Sequence, residues 1–462
     1  MMVKLENIKH IYFIGIGGIG MSAIARYFHA RGIKVSGYDK VSTPLTQTLE
    51  ALGIEIHYTD DVNLAPKDVQ AVVYTPAIPV NHSELAFYKS QGYSVVKRSD
   101  VLQIISEGSF NICVAGTHGK TTISSMIAHI LRDSEFGCNA FLGGIAANYQ
   151  TNFWSHPRNV CVIEADEYDR SFLKLFPSIA VISSMDPDHL DIYGTAEEME
   201  KSFIEFTGQI VKGGTLFSRK GLKREDDLIA SNHLTYQRDN QKADIYTENL
   251  HIENGAYVFD VVTPKEKISD FHLPMGGLHN VENSLAAIAV ALELDIPVSK
   301  IKTAIANFMG VKRRFQYLVR NESFVYIDDY AHHPEELKAL LTGVKHLFPE
   351  KNIVLAFQPH LFSRTNDFAA EFAEALDIAN QVLLLPIYPA RELPMEGVTS
   401  TLIQNKMKTN TIMLKSKDEI LTWIVNHKPE LENNSVFITA GAGDIDQMIL
   451  PIQQHLSTSN EN

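Results

Sequence analysis

Short apolar runs recur along this chain, most of them followed by a longer stretch in which apolar positions return every three or four residues. The run "HIYFIGIGGIGMSAIARYFHARG" predicts a strand, a glycine turn and a helix, and "KVSGYD" predicts a second strand ending at Asp39. "AVVYTPAI" and "YSVVKR" continue the series. Strands alternating with amphipathic stretches predict βαβ units and a parallel sheet. The alternation restarts with "NICVA", "TTISSMIAHILRD", "VIEADEYD" and "IAVISSMDPDHLD". It restarts again with "SFVYIDD", "NIVLAF", "QVLLLPIY", "NTIML" and "SVFITAG", separated by the helical patterns "PEELKALLTGVKHLF" and "TNDFAAEFAEALDIA".

The turns between these elements carry the candidate chemistry. Gly15, Gly17 and Gly20 form G-x-G-x-x-G between a strand and a helix, with Asp39 at the end of the next strand. Glycines let the backbone approach a diphosphate, whose charge the following helix N-terminus accepts. The motif suits NAD, FAD or a nucleotide sugar equally. "GTHGKTT", Gly116 to Thr122, lies between the strand "NICVA" and a helix and reads as a shortened phosphate loop. There Lys120 is expected to reach the β/γ oxygens of a nucleoside triphosphate and Thr121 to meet Mg²⁺. Two later strands end in hard ligands: Glu164, Asp166, Glu167 and Asp169 after one, Asp186, Asp188, His189 and Asp191 after the other. In the last segment Asp328, Asp329, Tyr330, His332 and His333 fall in one loop, and His360 with Arg364 in the next. Ligands bind at the carboxyl ends of parallel strands, which makes these site candidates; His333, before Pro334, is equally suited to cap a helix.

The expected architecture is α/β with three domains: a Rossmann-like N-terminal domain at 1–108, a central P-loop ATPase-like α/β domain at 109–320, and a Rossmann-like C-terminal α/β domain at 321–462. A length of 462 residues accommodates this division, and 45% hydrophobic with 21% charged residues is ordinary globular composition. The net charge of −14 argues against broad nucleic-acid binding. Apolar runs fall short of a membrane span. The three cysteines, Cys113, Cys138 and Cys161, form no zinc pattern and sit in or beside apolar segments, which predicts buried thiols. With no signal-peptide cleavage site, a cytoplasmic protein is expected.

Taken in order, "GTHGKTT", "EADE", "DHLD", "HNVENSLAAIAVA", "FMGVKRRF", "DDYAHHPEE", "FQPHLFSRT", "IYPARE" and "GAGDI" resemble the motifs of the Mur ligases, ATP-dependent amide-forming enzymes of peptidoglycan synthesis. The likeness spans nearly the whole chain and, with "IGIGGIGMSAIA", is strongest to the branch that adds L-alanine to the carboxylate of UDP-N-acetylmuramate. It implies that Gly116, Thr117, His118, Gly119, Lys120, Thr121 and Thr122 hold ATP, together with His279, Asn280, Asn283, Arg314 and Asp329. It implies one or two Mg²⁺ ions on Thr121, Glu167 and His189. It implies the UDP-sugar on Gly15, Gly17, Gly18, Ile19, Gly20, Asp39 and the loop Thr75, Pro76, Ala77 and Ile78. Tyr330, His332, His360 and Arg364 then line the amino-acid site, with Lys120 and Arg314 acting on the transferred phosphoryl group and His332 or His333 accepting the amine proton. The partners are small molecules, with neither nucleic acid nor membrane insertion, and the protein is a monomer or homodimer.

Tyr168, Asp186 and Leu361 depart from this branch, which commonly has Ser, Glu and Arg there; Leu361 leaves more of the anion contact to Arg364. "EKSFIEF" offers no alignable lysine for the carbamylation seen in later-acting relatives. Three alternatives stand beside this reading. A ligase recycling a murein tripeptide shares "EADEYD". An NAD-dependent oxidoreductase would use the glycine motif and Asp39 but leaves the phosphate loop without a task. A non-catalytic nucleotide-binding module leaves the cations and metal ligands unexplained.

Overall fold

The computed structural model describes residues 8–79, 81–187, 190–390 and 392–457. Five strands form the first sheet: β1 (His10–Ile14), β2 (Lys34–Tyr38), β3 (Glu55–His57), β4 (Ala71–Tyr74) and β5 (Val95–Lys97), all parallel, in the order 3-2-1-4-5. The order reverses at β1, so the loops after β1 and β4 face one crevice at the strands' carboxyl ends. β1 is buried along its whole length, as its unbroken apolar run requires.

The second sheet contains β6 (Phe110–Ala115), β7 (Asn139–Ala146), β8 (Thr151–Trp154), β9 (Val160–Glu164), β10 (Ile179–Ile182), β11 (Thr215–Arg219) and β12 (Asn232–Tyr236). Its order is 12-11-10-6-9-7-8, with only β8 antiparallel to its neighbour. β6 therefore lies between β9 and β10, and the three loops that follow these strands meet.

β13 (Tyr246–Glu253), β14 (Ala256–Val262) and β15 (Lys267–Leu273) make a small sheet. The last sheet runs 16-17-21-18-19-20, from β16 (Gln316–Arg320), β17 (Phe324–Asp329), β18 (Asn352–Phe357), β19 (Gln381–Leu384), β20 (Asn410–Met413) and β21 (Ser435–Ala440). Its strands are parallel except for β16 at the edge. The stretch "TNDFAAEFAEALDIA" is not one helix: helices Phe362–Asp367 and Ala369–Leu376 are separated at Phe368, whose backbone leaves the helical region.

The chain folds into two compact units, one of residues 1–248, 260–269 and 282–305, the other of 249–259, 270–281 and 306–462. Within the first unit, helix Ile19–His29 is apolar on two faces. Phe28 packs on Phe13 of β1, while Tyr27 meets Phe141 of β7 and Phe153 of β8 at ring distances of 5.6 and 6.1 Å. The first two sheets thereby share one core. Cys113, Cys138 and Cys161 are buried and unpaired with one another, and burial pushes all three thiols up.

Beneath β1, Tyr12 donates to Glu84 Oε2 at 2.5 Å and meets His57 Nε2 at 2.7 Å, while Glu84 Oε1 accepts from Asp61 N. Glu84 is fully buried, and desolvation raises its pKa to about 7. A carboxyl raised in the folded state favours folding most below its unfolded value of about 4.5, and that contribution is lost as pH rises through about 7. We therefore expect the Glu84→Gln variant to lose less stability than the wild type between pH 4.5 and 7.5. The difference should be on the order of 3 kcal/mol by urea unfolding; parallel stability–pH curves for the two proteins would contradict it.

Candidate active site

β6 delivers the chain to Gly116 with φ at +133°. A Cβ there would fall on Ser183 Oγ and within 2.8 Å of Ser184 N, beyond the end of β10, so glycine alone fits. Ser184 ties the loop down: its Oγ accepts from His118 N at 2.7 Å and shares a hydrogen bond with Thr117 Oγ1 at 2.9 Å. Gly119, at φ +84°, caps helix Lys120–Asp133 and lets the first helical N–H groups face outward. The position of a Gly119 Cβ is 2.9 Å from Asn283 Oδ1, which brings that predicted nucleotide contact to the loop. Thr122 points into the helix's buried side, and His118 is exposed.

Lys120 Nζ donates to Gly116 O at 2.6 Å and to Glu167 Oε1 at 2.7 Å. Glu167 is buried; desolvation pushes its carboxyl up while Lys120 pulls it down. Thr121 Oγ1 donates to Glu164 Oε1 at 3.0 Å, and Glu164 Oε2 accepts from Gly143 N at 3.0 Å. Thr121, the residue after the lysine, and Glu167, the lysine's ion-pair partner, supply hard oxygen donors that fit Mg²⁺. The predicted ligand His189 lies outside the described residues, as does Asp188; among the described residues no group of three metal-ligating side chains converges.

The glycine loop after β1 is built from close approaches. Gly15 has φ +86°, and Thr75 and Ile78 of the loop after β4 pack over it. Gly17 N donates to Asp39 Oδ2 at 2.7 Å, and a Cβ on Gly17 would meet the same carboxylate at 2.8 Å. Asp39 thus braces the loop from behind, a backbone role that its strand-end position did not disclose. Gly18, Ile19, Gly20, Thr75, Pro76 and Ala77 line a cavity of about 450 Å³, whose opposite wall carries Glu164, Asp166 and Tyr168. Arg98, absent from the sequence-based candidates, also lines it: the position of a Gly20 Cβ is 2.9 Å from Arg98 Nη1. The available signal was the pair Lys97-Arg98 at the carboxyl end of β5, the edge that β1 and β4 share.

In the second unit, Arg313 rather than Arg314 is the structural residue of the pair. Arg313 donates to Asp328 Oδ2 at 3.1 Å and to Gly441 O at 2.5 Å, while Arg314 is exposed. Asp329 accepts from Phe315 N at 2.6 Å and Ala331 N at 2.7 Å, and burial raises its pKa to about 7. His279 lies against Gly277, and Asn280 Nδ2 donates to Gly276 O at 2.6 Å. Tyr330, His332, His360 and Arg364 come together: the His332 ring is 5.1 Å from Tyr330 and 5.8 Å from His360, and Arg364 Nη1 donates to His332 O at 3.4 Å. His333 immediately precedes helix Pro334–Leu347 and turns its ring to Phe368 at 5.0 Å, while the N–H groups of both His332 and His333 donate to Glu336 Oε2.

Three family profiles match the chain: "Mur ligase family, catalytic domain" over residues 10–109, "Mur ligase middle domain" over 114–291, and "Mur ligase, glutamate ligase domain" over 313–443. The UDP-N-acetylmuramate–L-alanine ligase of Flavobacterium johnsoniae is 46% identical, covering 100% of both chains. The crystal structure of the UDP-N-acetylmuramate-alanine ligase from Thermotoga maritima superposes with a TM-score of 0.84 at 26% identity, over 98% of this chain and 100% of that one. The murein peptide ligase of Psychrobacter arcticus shares the fold, with a TM-score of 0.63 at 22% identity over 98% and 100% of the two chains.

The loop geometry generates a direct test. Gly116→Ala pushes the chain off Ser183 and out of a left-handed conformation, turning the N–H groups away from a bound phosphate. ATP-dependent phosphate release is expected to fall by about 100-fold, the scale of losing aligned backbone donors. Binding of UDP by calorimetry should be unchanged; near-normal phosphate release would contradict the loop's role.

Proposed function

The chain belongs to the Mur ligase family, and from that premise we propose that it joins L-alanine to the carboxylate of UDP-N-acetylmuramate with the cleavage of ATP to ADP and phosphate. One observation carries the reading beyond family membership. The cavity whose one wall is the glycine loop has as its other wall Glu164 and Asp166, the strand end that also serves the phosphate loop through Thr121 and Glu167. A nucleotide sugar held at the first wall presents its far end toward the second. An oxidoreductase reading has no use for the phosphate loop.

In this reading residues 1–108 hold the UDP-sugar, 109–320 hold ATP, and 321–462 supply the amino acid. The sugar carboxylate attacks the γ-phosphorus, giving an acyl phosphate and ADP; the amine then attacks the acyl carbon and phosphate leaves. Lys120 neutralises charge on the transferring group, and Arg314, exposed beside a braced Arg313, is available for the same task. Thr121, Glu167 and His189 would hold one or two Mg²⁺ ions, which would supply further charge neutralisation to the phosphoryl transfer.

An ammonium cannot attack, so a group near the amino acid must take its proton. His332 suits this better than His333. It lies in the cluster with Tyr330, His360 and Arg364, and burial lowers its imidazole pKa, favouring the neutral form against the opposing pull of Glu336. His333 is committed to the helix start. The reading extends to the cytoplasm as the compartment and to a monomer or homodimer; no helix among the described residues is long and apolar enough to cross a membrane.

Phosphate release with UDP-N-acetylmuramate and ATP should appear with L-alanine and stay at background with the murein tripeptide; the reverse pattern would assign the recycling activity. Lys120→Ala should abolish turnover while keeping UDP binding. His332→Ala should lower kcat by about 100-fold, whereas His333→Ala should mainly lower the melting temperature. Equal kcat losses in the two histidine variants would refute the assignment of the base.

A further inference from the structure

Between the glycine loop and the phosphate-loop strand end stand Arg98, Asp100 and Lys174, charged residues outside every recognised motif, with Asp166 of "EADE" as a partner. Helix Arg98–Ser106 begins directly after β5, and its first turn reaches the segment after β9 twice. Arg98 Nη2 donates to Asp166 Oδ2 at 3.4 Å, and Lys174 bridges to Asp100 and donates to Ser99 Oγ at 3.1 Å. The two bridges differ. Lys174 divides its donors between Asp100 and Ser99, and Asp100 also accepts from Lys97 N at 3.1 Å. The Arg98–Asp166 contact is long and single, with one guanidinium nitrogen on the carboxylate while Nη1 faces Gly20 at the start of helix Ile19–His29.

A guanidinium carries five N–H donors in a planar fork suited to two anionic oxygens. Here that fork is aimed at the spot where a glycine loop and a helix N-terminus already favour negative charge. Asp166 Oδ1 is engaged separately, accepting from Tyr168 N at 3.1 Å. The carboxylate is thus a fixed acceptor that orients the arginine across the cavity.

We propose that Arg98 is a substrate-binding residue: its guanidinium grips the diphosphate of the UDP-sugar over Gly20, and Asp166 orients it for that task. The proposal rests on the UDP-sugar reading of this cavity and adds to it a side chain that the glycine motif lacks. It also joins the substrate's anion to the phosphate loop, because Asp166 is followed by Glu167, the partner of Lys120. No covalent step is involved.

The test separates a ligand contact from a structural latch. Calorimetry with UDP, which has the diphosphate and no carboxylate, is run on the full-length wild type and on Arg98→Ala, Arg98→Lys and Asp166→Asn, with melting temperatures recorded for each. Asparagine retains the acceptor for Tyr168 N. We expect Arg98→Ala to weaken UDP binding about tenfold or more, the scale of a charge-assisted hydrogen bond. Arg98→Lys should recover part of this, and Asp166→Asn should cost clearly less than Arg98→Ala. In turnover, Arg98→Ala should raise KM for the UDP-sugar and leave KM for ATP and L-alanine within about twofold.

Equal losses in Arg98→Ala and Asp166→Asn would show a latch and overturn the proposal. So would unchanged UDP binding with a raised KM for UDP-N-acetylmuramate, which would move the contact to the sugar's carboxylate. Failure of the wild type to release phosphate with UDP-N-acetylmuramate and L-alanine would refute the ligase reading, while the UDP titrations would still score Arg98.

Discussion

The ion pair between Lys120 and Glu167 is the contact on which the rest of the site depends. It exists because β6 lies between β9 and β10, so the loop after β6 emerges beside the ends of both neighbours. A buried carboxylate such as Glu167 is costly without a cation, and a lysine at a helix start is otherwise free to point into water. Each fixes the other. The glycines at 116 and 119 are what let the backbone reach this geometry, since both adopt positive φ and both run against side chains of adjacent segments.

The same rule organises the other strand ends. At the first sheet the order reverses at β1, and the glycine loop, the loop Thr75–Ile78 and Arg98 gather around one cavity. At the last sheet the loops after β17 and β18 gather Tyr330, His332, His360 and Arg364. Three largely parallel sheets thus each gather one set of polar groups at their strand ends. The second unit adds its own brace: Arg313 spans Asp328 and Gly441, which leaves the neighbouring Arg314 unencumbered.

Much of this was legible in the chain because parallel strands are buried on both faces and read as unbroken apolar runs. Among the strands not read from the sequence, β3 is short and polar at Glu55 and His57, and β13 and β15 mix polar and apolar positions. Motif residues were legible where the backbone itself demands a residue type, as at Gly15, Gly17, Gly116 and Gly119. Roles set by what lies across a gap were not. Asp39 is expected from the resemblance to contact the UDP-sugar, and its carboxylate accepts from Gly17 N. Arg98 and Glu164 gain meaning only when the two sheets share a core. The choice between His332 and His333 needed the direction of each ring, which adjacent positions in a loop cannot give.

The central claim is that the phosphate loop spends its γ-phosphoryl group on a carboxylate held by the first sheet. Its most direct test is the fate of oxygen-18 placed in the lactyl carboxylate of UDP-N-acetylmuramate. An acyl phosphate requires one labelled oxygen to leave with the phosphate in each turnover with L-alanine, seen as a mass shift in the released phosphate. Release of unlabelled phosphate at the rate of product formation would contradict the account.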